Sequence, residues 1–200
     1  MPMSFEALNL TWFEKINASQ NASNAMIDLA IFIANDVLYL LILFLLFLWF
    51  YGDQQLKERA LRAVFFTAIA LGIGFIISTL YYHPRPFVMG VGRTLIYHAP
   101  NASFPSDHML IFSTIAWSYL FSGRKFAGSL LLVLAGLVAW SRVYLGVHFP
   151  MDMLGAFSIA FLVNILGIWI WKLAGQFILE SSTQLYATVC KPLLEKGWIK

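Results

Sequence analysis

An arginine, a histidine and an aspartate stand close together in residues 141–152, between two long apolar runs. Arg142 offers a planar set of donors that suits a phosphate group. If Pro150 begins a helix, Asp152 falls in its first turn, where its carboxylate is within reach of one nitrogen of His148. A carboxylate there fixes the imidazole tautomer and raises the basicity of the other nitrogen. The stretch indicates a reactive imidazole beside a phosphate-binding group; the alternative is an arginine and a histidine that only reach the membrane interface from a helix end.

Two further polar stretches lie at the ends of apolar runs. Residues 83–87 read His-Pro-Arg-Pro-Phe and end one run, whereas residues 104–108 read Phe-Pro-Ser-Asp-His and begin another. In chain order the motifs are Arg-Pro, Pro-Ser-x-His and Ser-Arg-x5-His-x3-Asp. This order resembles the type 2 phosphatidic acid phosphatase superfamily, and the motifs with their flanking helices cover about residues 60–172. The last motif is matched at every signature position, by Ser141, Arg142, His148 and Asp152.

Two positions depart from the usual pattern of this superfamily. Ser78 stands where a lysine usually precedes the arginine of the first motif, and Asp107 replaces the glycine of the second motif. Both changes resemble the bacitracin-resistance type of undecaprenyl pyrophosphate phosphatase. Because Ser78 carries no charge, we expect weaker binding of a monophosphate, whereas a diphosphate has a second phosphoryl group that other donors can hold.

The resemblance implies a role for each matched residue. His148 attacks phosphorus and forms a phosphohistidine, while Asp152 orients His148 and stabilises its charged form. His108 protonates the leaving oxygen and then activates water for the second half of the reaction. Arg85 and Arg142 hold the equatorial oxygens as charge shifts in the transition state.

The phosphate-binding set also includes Ser106 and Asp107, at the predicted start of a helix where backbone N–H groups add donors. Ser106 is the expected N-cap of that helix. For several more candidates a plain structural role is the alternative: Arg93, Tyr97, His98, Asp36 and Ser141. Arg93, Tyr97 and His98 lie in the long loop that precedes this helix, where they are candidates for holding the second phosphoryl group of a diphosphate. His83 is expected to be a structural residue of the same loop.

The composition is that of an integral membrane protein. Of 200 residues 60% are hydrophobic and 12% charged, with a mean hydropathy of +0.75, against about 45–50% apolar and about 25% charged in soluble domains. The net charge of +3 is scattered over helix ends, which argues against a nucleic-acid partner. The single Cys190 excludes an intramolecular disulfide, and no Cys/His cluster has zinc spacing, so neither a metal nor another cofactor is expected.

We predict an all-α helical bundle that forms a single membrane phosphatase domain over residues 1–200. An N-terminal interfacial helix over residues 4–18 precedes about five transmembrane helices, and an amphipathic C-terminal tail over residues 176–197 follows them. A polar turn is expected over residues 52–62 and a long loop over residues 83–105. The predicted spans are 26–51, 63–82, 106–122, 126–144 and 150–172.

The distribution of lysine and arginine predicts the orientation. Nine of the thirteen Lys and Arg residues fall on the face that holds the 52–62 turn and the C-terminal tail, and four fall on the motif-bearing face. The positive-inside rule places the first face in the cytoplasm. The motifs should then face the periplasm or the cell exterior from a bacterial plasma membrane, with the N-terminus outside and the C-terminus inside.

The favoured function is a phosphatase that recycles undecaprenyl pyrophosphate to the monophosphate, which links it to cell-wall biogenesis and bacitracin resistance. Its partners would be this lipid diphosphate and membrane lipids; the oligomeric state stays open. Alternatives are a phosphatase or phosphotransferase that acts on phosphatidic acid, phosphatidylglycerol phosphate or lipid A, and, outside enzymes, a small transporter or scaffold. The complete set of histidines, arginine and aspartate argues against a silent scaffold, because packing alone needs none of them.

Overall fold

The computed structural model describes residues 4–200, which form seven α-helices. Turns and one long loop, between the third and fourth helices, join them. In chain order they are α1 (Phe5–Ile16), α2 (Asn24–Tyr51), α3 (Gln54–Leu80), α4 (Asp107–Phe121), α5 (Lys125–Tyr144), α6 (Pro150–Val189) and α7 (Lys191–Glu195). The protein is all-α, as predicted.

Four helices are long and apolar enough to cross a membrane, namely α2, α3, α5 and α6. The chain is therefore a multi-pass membrane protein. Helix α4 has 15 residues and spans about 22 Å, less than the hydrocarbon core of about 30 Å. It packs against α3, α5 and α6 at the centre of the bundle, with Leu110, Phe112 and Ile115 almost fully buried.

Helix α1 lies against the end of the bundle where α6 begins. The ring of Phe13 is fully buried and packs edge-to-face on Phe149, with ring centroids 5.2 Å apart. The buried side chain of Asn9 accepts a hydrogen bond from the backbone N–H of Met151 at 3.1 Å. The predicted interfacial helix over residues 4–18 is thus a helix that covers the start of α6.

Two predicted boundaries were wrong. The polar turn over residues 52–62 is almost entirely helical, because α3 begins at Gln54 with Asp53 as its N-cap. Lysine, glutamate and arginine favour helix strongly, so their charge alone does not break one. Most of the predicted C-terminal tail over residues 176–197 likewise belongs to the last long helix: α6 continues past residue 172 to Val189 without interruption, 40 residues or about 60 Å in all, and the short α7 follows it. A helix need not end where it leaves the bilayer.

Two predicted helix starts are confirmed. Pro150 is the first residue of α6, where its missing N–H costs nothing. Ser106 is the N-cap of α4, and its hydroxyl accepts from the N–H of Met109 at 3.4 Å. These starts, with the C-terminal ends of α3 and α5, place all three sequence motifs at one end of the bundle.

Candidate active site

Four charged or titratable side chains are buried together at this end of the bundle. Arg85 comes from the loop between α3 and α4, Arg142 from the last turn of α5, and His148 and Asp152 from either side of the start of α6. All four are at most 4% exposed. Charged side chains are almost never buried in this way without partners or a function.

The start of α6 holds the carboxylate of Asp152 in place. Because Pro150 opens the helix, Asp152 lies in its first turn, and its Oδ2 accepts from the backbone N–H of Phe149 at 2.8 Å. The same oxygen lies 3.3 Å from Nδ1 of His148 and accepts from the hydroxyl of Ser103 at 2.5 Å. This arrangement favours a proton on Nδ1 of His148, which leaves the lone pair on Nε2.

Arg85 meets the other nitrogen of the same imidazole. Its Nη1 lies 3.0 Å from Nε2 of His148 and donates to the carbonyl of Val147 at 2.9 Å. Its Nε donates to Oδ1 of Asn101 at 2.9 Å, and its Nη2 donates to the carbonyl of Ala102 at 3.1 Å. Since a guanidinium can only donate, Nε2 is the acceptor, in agreement with a proton on Nδ1.

Burial lowers the pKa of His148 to about 4, although Asp152 opposes the change. The imidazole is therefore neutral near pH 7. Its lone pair on Nε2 is directed at the positively charged guanidinium of Arg85. A neutral imidazole next to a phosphate-binding group has the form that a nucleophile needs.

Arg142 and His108 face the same region without such partners. Nε of Arg142 is buried and has no hydrogen-bond partner within residues 4–200. His108 is half-buried in the first turn of α4 and lies in the electrostatic field of Arg142, His148 and Arg85. A buried donor without a partner is costly, so Arg142 is suited to an incoming anion.

The remaining predicted residues are placed more variably. Asp107 is exposed in the first turn of α4. The ring centroid of His98 lies 6.0 Å from that of His148, and its Nδ1 lies 3.1 Å from the carbonyl of Ala99. The hydroxyl of Ser141 donates to Val138 within α5.

Three candidates make no hydrogen bond to the buried cluster in the part of the chain that the structure describes. Arg93 donates from Nη1 to the carbonyl of Ser19 at 2.8 Å, so its side chain is tied to the segment after α1. Tyr97 is 93% exposed. Asp36 is exposed on the surface of α2. His83 is a loop residue beside α1, with Nε2 3.5 Å from Glu6.

Two residues of the site, Asn101 and Ser103, were missed in the sequence. Asn101 is bonded to Arg85 and Ser103 to Asp152. The only signal was their position just before the Pro-Ser-x-His motif, and polar residues are common in any loop. Within residues 4–200, no group of three or more His, Cys, Asp or Glu side chains is arranged to hold a metal ion.

An apolar cavity of about 520 Å³ lies between α2, α3 and α4. Its wall on α4 consists of Ile111 and Ile115, which follow His108 at intervals of three and seven residues. These intervals place all three side chains near one face of the helix. The cavity thus begins one turn below His108.

The chain is similar in sequence and in architecture to known proteins. The protein named "Putative undecaprenyl-diphosphatase YbjG" of Escherichia coli (strain K12) is 36% identical over 195 residues, which cover 98% of each chain. Undecaprenyl-diphosphatase BcrC of Bacillus subtilis (strain 168) is 30% identical over 189 residues, 94% of this chain and 97% of that one. The crystal structure of Aquifex aeolicus LpxE superposes with a TM-score of 0.69 at 25% identity, covering 83% of this chain and 99% of that one.

The family model agrees with these relatives. It matches residues 59–176, which contain the half-buried His108 and the buried Arg85, Arg142, His148 and Asp152. Together with the helical bundle and the full-length relatives, this match shows that the chain belongs to the PAP2 superfamily and is a membrane lipid phosphatase.

Proposed function

We propose that this protein is an undecaprenyl-diphosphate phosphatase, which hydrolyses the lipid diphosphate to undecaprenyl phosphate and inorganic phosphate. In the cell this reaction would recycle the cell-wall lipid carrier and give resistance to bacitracin. The observation that carries the proposal is the neutral, buried His148, with Nε2 directed at Arg85, in a chain whose relatives over nearly its full length bear that name.

In the first step, Nε2 of His148 attacks the distal phosphorus atom. The bond from that phosphorus to the bridging oxygen breaks, and undecaprenyl phosphate leaves with the electron pair. His108 donates a proton to the leaving oxygen, and Arg85 and Arg142 hold the equatorial oxygens of the transferred group. Asp152 stabilises the positive charge that develops on the imidazole.

In the second step, water attacks the phosphohistidine. His108, now neutral, accepts a proton from the water, the P–N bond breaks, and inorganic phosphate is released with the lone pair back on Nε2. Two arginines supply the positive charge in both steps, and the backbone N–H groups of Asp107 and His108 at the start of α4 add further donors.

The missing lysine favours a diphosphate. Ser78 carries no charge, and its hydroxyl donates to the carbonyl of Phe75 in its own helix at 2.9 Å. A monophosphate then loses one attachment, whereas the inner phosphoryl of a diphosphate can bind further donors. Tyr97, His98 and the remaining donors of Arg93 are the candidates for this contact. The leaving group is also a phosphate, which needs less protonation than an alkoxide.

The apolar cavity below His108 is our candidate for the first part of the prenyl chain. His108 must reach the oxygen of the leaving group, and the prenyl chain is attached to that same group. The chain therefore has to leave the site past His108, next to Ile111 and the apolar side chains of α2 and α3. A long hydrocarbon chain fits this lining.

We further propose that α4 is a short fifth transmembrane helix enclosed by protein, and that the whole chain acts as one domain. In this arrangement α1 lies in the interface and the end of α6 extends into the cytoplasm. The active site then faces the periplasm or cell exterior, because most lysines and arginines lie at the opposite end.

The orientation can be tested by cysteine labelling in a Cys190→Ser background. Met89 lies in the loop on the active-site side and Gln55 at the start of α3, and both are exposed. In intact cells, Met89→Cys should react with an impermeant thiol reagent and Gln55→Cys should not. The reverse labelling pattern would overturn the orientation.

Phosphate release by purified protein in detergent tests the function. We expect a higher kcat/KM on undecaprenyl pyrophosphate than on phosphatidic acid or phosphatidylglycerol phosphate, activity that survives EDTA, and inhibition by vanadate, which mimics five-coordinate phosphorus. Overexpression should raise bacitracin resistance. Equal or better turnover of the glycerolipids would move the protein to that branch of the superfamily, and restoration of EDTA-treated enzyme by magnesium would rule out this mechanism.

A further inference from the structure

Three consecutive residues, Asn101, Ala102 and Ser103, connect the arginine and histidine parts of the site. Asn101 and Ala102 hold Arg85 through the Asn101 side chain and the Ala102 carbonyl. Ser103 instead contacts the carboxylate of Asp152. One short segment of the loop therefore binds both the guanidinium and the partner of the imidazole.

Ser103 is fixed tightly enough to act on Asp152. It is 0% exposed, and its backbone N–H donates to the carbonyl of His83 at 2.8 Å. Its hydroxyl donates to Oδ2 of Asp152 at 2.5 Å and lies 3.4 Å from Nδ1 of His148. Hydrogen bonds to a charged carboxylate are among the stronger ones in proteins, and this oxygen also accepts from the N–H of Phe149.

The hydrogen-bond acceptors around Arg85 carry no charge. Nε and the two Nη atoms donate to the Asn101 amide oxygen and to the carbonyls of Ala102 and Val147. Within residues 4–200, no carboxylate forms an ion pair with Arg85. The guanidinium is thus oriented while its positive charge remains available to an anion.

We propose that residues 101–103 are a positioning segment, in which Ser103 orients Asp152 and its imidazole while Asn101 orients Arg85 without neutralising it. This proposal rests on the proposed role of His148 as nucleophile. The segment fixes the distance between the attacking nitrogen of His148 and the guanidinium of Arg85, which holds the oxygens of the transferred phosphoryl group. Errors of even 1 Å in such geometry are costly to rate.

The Ser103 part is tested by Ser103→Ala and Ser103→Thr. The alanine variant should lose about 10-fold to about 100-fold in kcat, the range expected for a hydrogen bond to a charged group, with little change in KM. Ser103→Thr keeps the hydroxyl and should recover most of the rate. The matched control is Ser113→Ala, since Ser113 is equally buried and its hydroxyl has no partner within residues 4–200.

Two outcomes would overturn this part. One is a wild-type kcat in Ser103→Ala. The other is an equal loss in the threonine and alanine variants, or in Ser113→Ala, which would indicate a general packing defect. Thermal unfolding in detergent identifies variants that do not fold. If Ser103→Ala does not fold, the kcat of Ser103→Thr still tests the role of the hydroxyl.

The Asn101 part is tested by Asn101→Asp, which keeps the shape of the side chain but places a carboxylate on Arg85. Vanadate inhibition measures anion binding without turnover. We expect its inhibition constant to rise at least about 10-fold in Asn101→Asp, and less in Asn101→Ala, which loses orientation but not charge. Unchanged vanadate affinity in the aspartate variant would refute the proposal.

These tests do not depend on the preferred lipid. If the wild-type protein hydrolyses a glycerolipid phosphate better than the prenyl diphosphate, the substrate proposal fails, and the same variants can be measured on the glycerolipid. If wild-type activity is as proposed but the variants behave like the control, only the positioning proposal fails.

Discussion

Around His148 the polar groups are hydrogen-bonded to one another, whereas within residues 4–200 the Nε of Arg142 has no hydrogen-bond partner. We call the first group, which contains Arg85, His148 and Asp152, the bonded half of the site. The second, which contains Arg142 and His108, is the open half. In the bonded half the imidazole contacts both Asp152 and Arg85. In the open half Nε of Arg142 has no partner among the described residues.

The difference indicates a division of labour. A nucleophile must be held in one orientation and one tautomer before the substrate arrives, and the contacts of the bonded half do this. Groups that bind an incoming anion or transfer protons must instead leave donors free. The loss of a partner in the bonded half should therefore affect folding as well as catalysis, and changes in the open half should affect catalysis alone.

The largest expected effect is on the rate and on the amount of phosphoenzyme, and it distinguishes the roles of the two histidines. His148→Ala and His108→Ala should each lose at least about 10²-fold in rate. With substrate labelled in its distal phosphate, His148→Ala should form no phosphoenzyme. His108→Ala should accumulate one, because its hydrolysis is slowed. An alkaline quench followed by gel electrophoresis detects the label. Labelled protein in His148→Ala would show that another residue is the nucleophile.

The two arginines should differ in their effect on stability. Arg85→Leu leaves the buried carbonyl of Val147 without a donor, at a cost of about 1–3 kcal/mol. It also removes the donor to the part-buried Ala102 carbonyl and Asn101 amide, so the Tm should fall. Arg142→Leu removes a buried guanidinium whose Nε has no partner among residues 4–200, so the Tm should stay constant or rise. Both variants should bind vanadate more weakly.

Thermal unfolding in detergent without phosphate checks this contrast, and vanadate should raise the Tm of the wild-type protein. If Arg142→Leu destabilises the protein as much as Arg85→Leu does, Arg142 makes stabilising contacts in the enzyme without substrate, which would contradict the division into two halves.

The bonded half was predictable from the sequence only where its contacts are local. The spacing from His148 to Asp152, and Pro150 between them, gave the contact of the imidazole with the carboxylate, because both lie at one helix start. The contact of Arg85 with Nε2 joins residues 63 positions apart, and the motifs indicated that they meet but not which nitrogen the guanidinium would face. Ser103 had no motif to mark it.

The fold was predicted to a similar depth. Apolar runs located the helices in the membrane, and Ser106 gave the start of α4. Residues 52–62 were predicted as a polar turn and residues 176–197 as a separate tail, but charged residues favour helix as well: α3 already begins at Gln54, and α6 continues to Val189. Prediction failed where the boundary of the membrane and the boundary of the helix differ.

A smaller effect concerns pH. The pKa of His148 is lowered to about 4 from an ordinary value near 6.5, mainly by burial. The folded protein therefore binds this proton less readily than the unfolded chain, so the favourable contribution of a neutral His148 is fully present above about pH 6.5 and is lost as pH falls through about 4. The acidic limb of the kcat/KM profile should have its midpoint below pH 6.5. A midpoint above that value, from the free enzyme, would contradict a neutral buried nucleophile.

The smallest expected effect concerns the apolar cavity between α2, α3 and α4. Ala68 lines this cavity on α3 and is exposed, so Ala68→Phe should fill part of it without disturbing the core. If the prenyl chain lies there, KM for undecaprenyl pyrophosphate should rise by about 10-fold, the cost expected for displacing one or two methylene contacts. The short substrate farnesyl diphosphate should be affected less. Val133→Phe is the control, because Val133 is exposed on α5 and does not line the cavity. An equal change for the long and short substrates, or an equal effect of the control, would place the prenyl chain elsewhere while leaving the assignment of both halves of the site intact.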